Sequence, residues 1–185
     1  RQIARWARQW DLSRIEGIPE IGQLAAWLRE NLPPADGETT LVHGDFRIGN
    51  LIFHPSKPEI VAVLDWELST LGDPVADFAY HTLTWHLPPK PFRGLDGLDL
   101  TAIGIPDARA YREAYFAAFG LPEPGEREWN TYLAYSLFRV AAIRQGIMKR
   151  VVDGTASSAH ARQAGALARP VAELALRFAE QAERY

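Results

Sequence analysis

Cysteine is absent from all 185 residues, which excludes disulfides, thiol nucleophiles and cysteine-held metals. That absence suits a reducing compartment, and a cytoplasmic location is the expectation. No apolar run approaches the roughly 20 residues that cross a bilayer, so no membrane span is expected. Charge of one sign is not in excess: 20 Lys and Arg against 23 Asp and Glu leave a net charge of −3. Such a balance carries no basic signature for nucleic acid or an anionic membrane surface. Internal repeats, low-complexity tracts and linkers are also lacking. What remains is 47% hydrophobic and 23% charged residues, ordinary for a globular protein. The length suits one domain over residues 1–185. The opening Arg1-Gln2-Ile3-Ala4-Arg5 is neither a signal peptide nor an initiator methionine, and it starts in helical rhythm. It reads as the continuation of a longer protein.

Ile3, Trp6, Ala7 and Trp10 recur at helical spacing, as do Ile21, Leu24, Ala25 and Leu28 after Pro19. Asn31 to Thr40, with two prolines and Asp36-Gly37, reads as a loop. The rhythm then changes. Leu41-Val42, Leu51-Ile52-Phe53 and Ile60 to Leu64 are short β-branched-rich runs that predict two or three strands. From Asp73 the chain turns helical again, with Asp73 as cap and Pro74 in the first position of a helix to about Trp85. The Pro/Gly-rich segment His86 to Pro106 predicts a long loop, a kind often tied to function. Helices are expected from about Asp107 to Phe119, from about Glu126 to Val152, and from Ser157 or Ser158 to the C-terminus.

The informative stretch is His43-Gly44-Asp45-Phe46-Arg47-Ile48-Gly49-Asn50, followed by Asp65-Trp66-Glu67. Asp45 and Asn50 lie in a polar loop between two apolar strands, and Asp65 ends the next strand. Ends of neighbouring strands converge, so three oxygen-bearing side chains are aimed at one place. Mg²⁺ suits such a set, because substrate phosphates and water complete its octahedron. Phosphoryl transfer asks little more of a protein than a metal site, a carboxylate on the acceptor hydroxyl and charge stabilisation. The spacing also fits the kinase loop H-x-D-x-x-x-x-N with a metal-binding Asp on a later strand.

Together with Gly72-Asp73-Pro74-x-x-Asp77, these segments resemble the aminoglycoside/choline-kinase-like phosphotransferase superfamily, by motif from about Glu38 to Pro89. Leu64 to Gly72, Trp85-His86-Leu87-Pro88, Ser136-Leu137-Phe138-Arg139 and Gly154 to Ser158 look most like the phosphotransferase domains associated with acyl-CoA dehydrogenases. The resemblance implies an α+β fold: the mostly helical C-terminal lobe of a protein-kinase-like fold, with a small β insert carrying two loops. It implies Asp45 as catalytic base or acceptor-orienting group, and Asn50 and Asp65 as ligands of Mg²⁺ and its nucleotide. Asp77 would be a buried carboxylate holding the loop. ATP or GTP would be the phosphoryl donor, and a small molecule the acceptor, hydroxyacyl-CoA-like or aminoglycoside-like. Two positions depart from related patterns. Arg47 stands where many antibiotic kinases have His, and Glu67 replaces the Gly of a protein-kinase D-F-G.

Each residue also has a plainer role open to it. Singly, Asp45 suits a turn, Asn50 a cap and Asp65 a strand end; only their order and spacing together favour chemistry. As a loop carboxylate, Asp45 is expected to be exposed, with little weight in folding. Asp73 is explained as a cap, and Asp77 would suit the positive end of its helix as well as a loop anchor. His43 is expected to pack beneath the loop. His54, His81 and His86 lack the spacing of a helical zinc site and read as core or surface residues. Glu67 fits a second metal shell, an acceptor cleft or a solvated loop. Arg139 and Arg144 suit a pair with a buried carboxylate better than an anionic substrate, the other role open to them. Tyr80, Trp85, Tyr111, Tyr115, Tyr132 and Phe138 read mostly as core. The three lysines, Lys57, Lys90 and Lys149, are not in a phosphate-gripping Val-Ala-Ile-Lys context. The nucleotide-covering lobe is therefore expected to lie outside this sequence, and the isolated chain to be inactive. The rival reading is a non-catalytic, pseudokinase-like binding module.

Overall fold

A computed structural model describes residues 18–33 and 39–185. The helix expected at Ile3 to Trp10 lies outside the described residues, as does most of the loop expected before Thr40. The chain divides into two compact units, Arg1–Pro34 with Gly125–Tyr185, and Ala35–Pro124.

The first unit is helical. Helix α1 (Pro19–Asn31) begins with Pro at its first position, where no backbone donor is lost. In chain order, the other helices of this unit come after the second unit. Its apolar stripe, Ile21, Leu24 and Leu28, is fully buried. Each such side chain contributes about 1.5–3 kcal/mol.

Among its described residues the second unit holds four short strands, two longer helices and, within the long loop expected between them, a single helical turn at Pro89–Phe92. Strands β1 (Thr40–Val42), β2 (Leu51–Phe53), β3 (Ile60–Val63) and β4 (Thr70–Gly72) form two antiparallel ribbons. β1 pairs with β4, with Leu41 opposite Leu71, and β2 pairs with β3, with Leu51 opposite Val63. The fourth strand, at Thr70–Gly72, was not among those expected. Three residues carry too little pattern to announce it, and its partner lies about thirty positions earlier. Helix α2 (Pro74–His86) is capped by Asp73, whose carboxylate accepts from Val75 N at 2.8 Å and Ala76 N at 3.4 Å. Two of the cap's orphan donors are thus satisfied. The segment after α2 folds back onto its last turns: Leu95 N donates to Thr84 O at 2.8 Å, Asp96 N to Leu87 O at 3.0 Å and Trp85 Nε1 to Pro106 O at 2.8 Å. Helix α3 (Ala108–Phe119) is capped by Asp107 and closed by Gly120. Phe78 on α2 stacks on Tyr115 of α3 with ring centroids 3.6 Å apart, beside buried Phe116.

The rest of the first unit is α4 (Glu126–Val152), α5 (Ala161–Ala166) and α6 (Ala168–Ala182). The single C-terminal helix expected is broken at Leu167. Buried positions on α6 are mostly alanine (168, 172, 175, 179, 182), with Val171 and Phe178 between them, and small side chains allow neighbouring helices to pack closely. At Gly165 a side chain would meet the Met148 Cβ at 2.8 Å, so α5 needs glycine where it crosses α4. Arg144 of α4 donates to Ala164 O at 3.0 Å. No helix among the described residues is long and apolar enough to cross a membrane.

Candidate active site

β1 delivers the chain into the loop His43–Arg47, and a 3₁₀ turn, Ile48–Asn50, delivers it to β2. Gly44 sits at φ +80, a left-handed conformation that a side chain disfavours. A Cβ there would also lie 2.7 Å from Leu68 O, on the next loop. Glycine is required on both counts.

His43 is buried and joins the same two loops. Its Nε2–H donates to Leu64 O at 2.9 Å, and its Nδ1 accepts Asp45 N–H at 3.2 Å. One tautomer, with the proton on Nε2, serves both bonds. The imidazole also lies 4.7 Å, centroid to centroid, from the Trp66 ring.

Asp65 has φ 67 and ψ 51, a left-handed conformation uncommon outside glycine though tolerated by Asp. Its neighbours hold it there. Leu64 N donates to Asn50 O at 2.8 Å, Leu64 O takes His43, and Trp66 Nε1 closes on Val63 O at 2.9 Å. Strain held from both sides at an exposed carboxylate is a common mark of a functional position. Because the β2–β3 ladder continues through Asn50 and Leu64, Asn50 and Asp65 stand at the same end of that ribbon.

Asp45 is not the exposed carboxylate expected of a loop. Its side chain is 19% exposed and takes three donors. Tyr80 OH donates to Oδ1 at 2.9 Å, while Asn50 Nδ2 and Arg47 Nε each reach Oδ2 at 3.2 Å. Asn50 Nδ2 also bonds Asp45 O at 2.9 Å, so its amide nitrogen is committed to Asp45. The oxygen of that amide is the end not engaged by Asp45, and an oxygen suits a hard cation such as Mg²⁺.

One face of α2 supports this loop. Asp77 accepts from His43 N and Gly44 N, and His81 donates through Nδ1 to Phe46 O at 3.3 Å while its Nε2 accepts from Tyr111 OH at 2.9 Å. Burial lowers the His81 pKa, although the Phe46 carbonyl and Asp77 pull the other way. Burial likewise raises the Tyr111 and Tyr115 phenols.

Asp45, Asn50 and Asp65 thus belong to one end of one ribbon, with His43 and Asp77 bracing the loop. Glu67 lies exposed on the 3₁₀ turn Trp66–Leu68, while His54 and Asp73 stand apart from the cluster in role. Tyr80, read as core from sequence, and His81, read as a core or surface histidine, bond the loop directly. The signal was there: Asp77, Tyr80 and His81 are spaced i, i+3, i+4, which puts them on one helix face. Among the described residues no three His, Asp or Glu are placed to hold a metal by themselves.

Residues 1–135 match the model of a family described as phosphotransferase enzymes. The chain belongs to that phosphotransferase family. Its fold is accordingly kinase-like, mostly helical with a small content of sheet. It is 49% identical over 181 residues to mouse acyl-CoA dehydrogenase family member 10, covering 97% of this chain and 17% of that protein. It is 37% identical to mouse acyl-CoA dehydrogenase family member 11 (24% of that protein) and 39% identical to Arabidopsis thaliana IBR3, provisionally described as an acyl-CoA dehydrogenase (23% of it). The chain thus spans about a quarter or less of these relatives. A crystal structure from Ralstonia eutropha JMP134, provisionally described as an aminoglycoside phosphotransferase, superposes with a TM-score of 0.92 at 54% identity. That match covers 97% of this chain and 54% of the other.

Proposed function

We propose that this chain supplies the acceptor-orienting and metal-binding side of a small-molecule kinase, moving the γ-phosphoryl of ATP or GTP to a hydroxyl group. The observation that carries the reading is the joining of Asp45 to Asn50 through two hydrogen bonds, at the ribbon end that Asn50 shares with Asp65. Asp45 accepts a hydrogen bond from the acceptor hydroxyl and takes its proton as the new P–O bond forms and the bond to the leaving nucleoside diphosphate breaks. Asn50 Oδ1 and the Asp65 carboxylate are the groups that would hold Mg²⁺. When bound, that ion neutralises the donor phosphates. His43 keeps the loop bearing Asp45 registered against the loop bearing Asp65. Asp77 fixes the backbone at the start of the first loop.

For the acceptor, a hydroxyacyl-CoA-like compound has the support of relatives named as acyl-CoA dehydrogenases. The description of the Ralstonia structure supports an aminoglycoside. The test is transfer from radiolabelled ATP, by the full-length protein, to 3-hydroxybutyryl-CoA, kanamycin and choline in parallel. Label should enter one acceptor and fall by about 10²–10⁴ in rate with Asp45→Asn. Nucleotide binding without transfer to any acceptor, unchanged by Asp45→Asn, would favour a non-catalytic binding module instead.

A further inference from the structure

We propose that Tyr80 is a positioning residue that holds the Asp45 carboxylate in the orientation an acceptor hydroxyl requires. The inference rests on the role given to Asp45 above. The terminal torsion of an aspartate is broad and soft, so a loop carboxylate keeps one orientation only when bonds restrain both its oxygens. Here Tyr80 OH donates to Oδ1 at 2.9 Å, and Asn50 Nδ2 donates to Oδ2 at 3.2 Å. Asn50 is buried. The third donor differs: Arg47 reaches Oδ2 at 3.2 Å from a side chain that is 60% exposed. Exposed ion pairs are weak, so the Arg47 contact is the one that yields to an incoming hydroxyl. Tyr80 and Asn50 then keep hold of opposite oxygens.

The setting of Tyr80 supports this role over a structural one. Asp77, Tyr80 and His81 share one face of α2 and touch four consecutive loop residues. Asp77 takes the N–H groups of His43 and Gly44, and His81 takes the Phe46 carbonyl. Those contacts hold backbone. Tyr80 instead bonds the side chain of Asp45. Removing the phenol oxygen therefore leaves the backbone clamps intact and frees the carboxylate to turn. Misorientation of a reacting group lowers rate more than substrate binding.

The test uses the full-length protein with Mg-ATP, following ADP release with water as acceptor and with 3-hydroxybutyryl-CoA added. Tyr80→Phe, Asp45→Asn and the double variant are compared. Tyr80→Phe should lower kcat by about tenfold to a hundredfold, the scale of one hydrogen bond to a charged group. KM for ATP should stay within about twofold and the melting temperature should fall no further than that of Asp45→Asn, which separates loss of orientation from loss of binding or folding. In the Asp45→Asn background the same substitution should do nothing further, because the carboxylate that Tyr80 orients is already gone. An equal fold loss in both backgrounds would overturn the proposal, as would a Tyr80→Phe enzyme at full rate beside a crippled Asp45→Asn. Should Tyr80→Phe fold poorly, Tyr80→His and Tyr80→Leu replace it. Partial recovery by the N–H of His supports the proposal, and equal loss in both counts against it. If Asp45→Asn matches the parent, or the parent releases no ADP, the role of Asp45 itself fails and the inference goes with it.

Discussion

Asp77 accepts the backbone N–H groups of both His43 and Gly44, one on each carboxylate oxygen and each at 2.9 Å. The helix that begins at Pro74 thereby holds the loop that ends β1, across more than thirty residues of chain. Two donors on one half-buried carboxylate form a fixed clamp on the loop backbone.

Asp77→Asn should therefore unfold more easily, by about 1–3 kcal/mol, since an amide nitrogen would face a backbone donor. Urea denaturation measures it. Arg47→Ala removes only an exposed pair, and its stability should change by no more than about 1 kcal/mol. Equal destabilisation in the two variants would show that Asp77 is no anchor.

Gly44→Ala combines a left-handed backbone with a Cβ 2.7 Å from the Leu68 carbonyl. A loss of about 1–3 kcal/mol is expected, because the nearby atom belongs to backbone and cannot swing aside. Gly97 is also at positive φ but has no neighbour within 4 Å. Its alanine variant should lose only the conformational part. A thermal melt in which Gly97→Ala falls as far as Gly44→Ala would mean the Leu68 contact carries no weight.

His86 has its pKa lowered to about 4, chiefly by burial, with Asp96 opposing and Arg112 adding to the shift. In the unfolded chain a histidine takes up its proton near pH 6.5. Between these values the unfolded state binds more protons, so stability rises with pH and is lost on acidification. The loss from this residue reaches about 3 kcal/mol by pH 4. Denaturation curves from pH 7.5 to 4.5 should be steeper in pH for the parent than for His86→Gln. Parallel curves would exclude His86 as a source of the acid sensitivity.

On the proposal that Asn50 and Asp65 hold the cation, Mg²⁺ should bind weakly without nucleotide and far more tightly with it. Calorimetric titration of Mg²⁺ with and without a non-hydrolysable ATP analogue, on the full-length protein, makes the comparison. Tight binding that ignores the nucleotide would contradict the shared coordination, and so would an Asp65→Ala variant with unaltered affinity.

Much of this was legible in the sequence because it is local. Asp73-Pro74 announced a capped helix and Asp107 the start of another, since a cap acts within three residues of itself. The apolar stripe Ile21, Leu24 and Leu28 announced a buried helix face. The spacing from His43 to Asn50 and on to Asp65 marked the candidate site, as strand ends bring such residues together. Tyr80 was read as core because an aromatic at helical spacing usually is; its sharing of a helix face with Asp77 and His81 was legible, but its partner 35 positions away was not.

By itself, then, the sequence determined where helices begin, which runs become strands, and which carboxylates and amides stand at strand ends. Propensity, capping and periodicity act over a few residues, and those residues are adjacent in the chain. Only the tertiary structure decided that Thr70–Gly72 pairs with β1, that Gly44 must fit beneath the Leu68 carbonyl, and that Asp45 has donors on both oxygens. Such contacts depend on closing loops of about thirty residues. Their closure entropy is offset by the whole packed unit and not by any one pair, so no short window of sequence could have announced them.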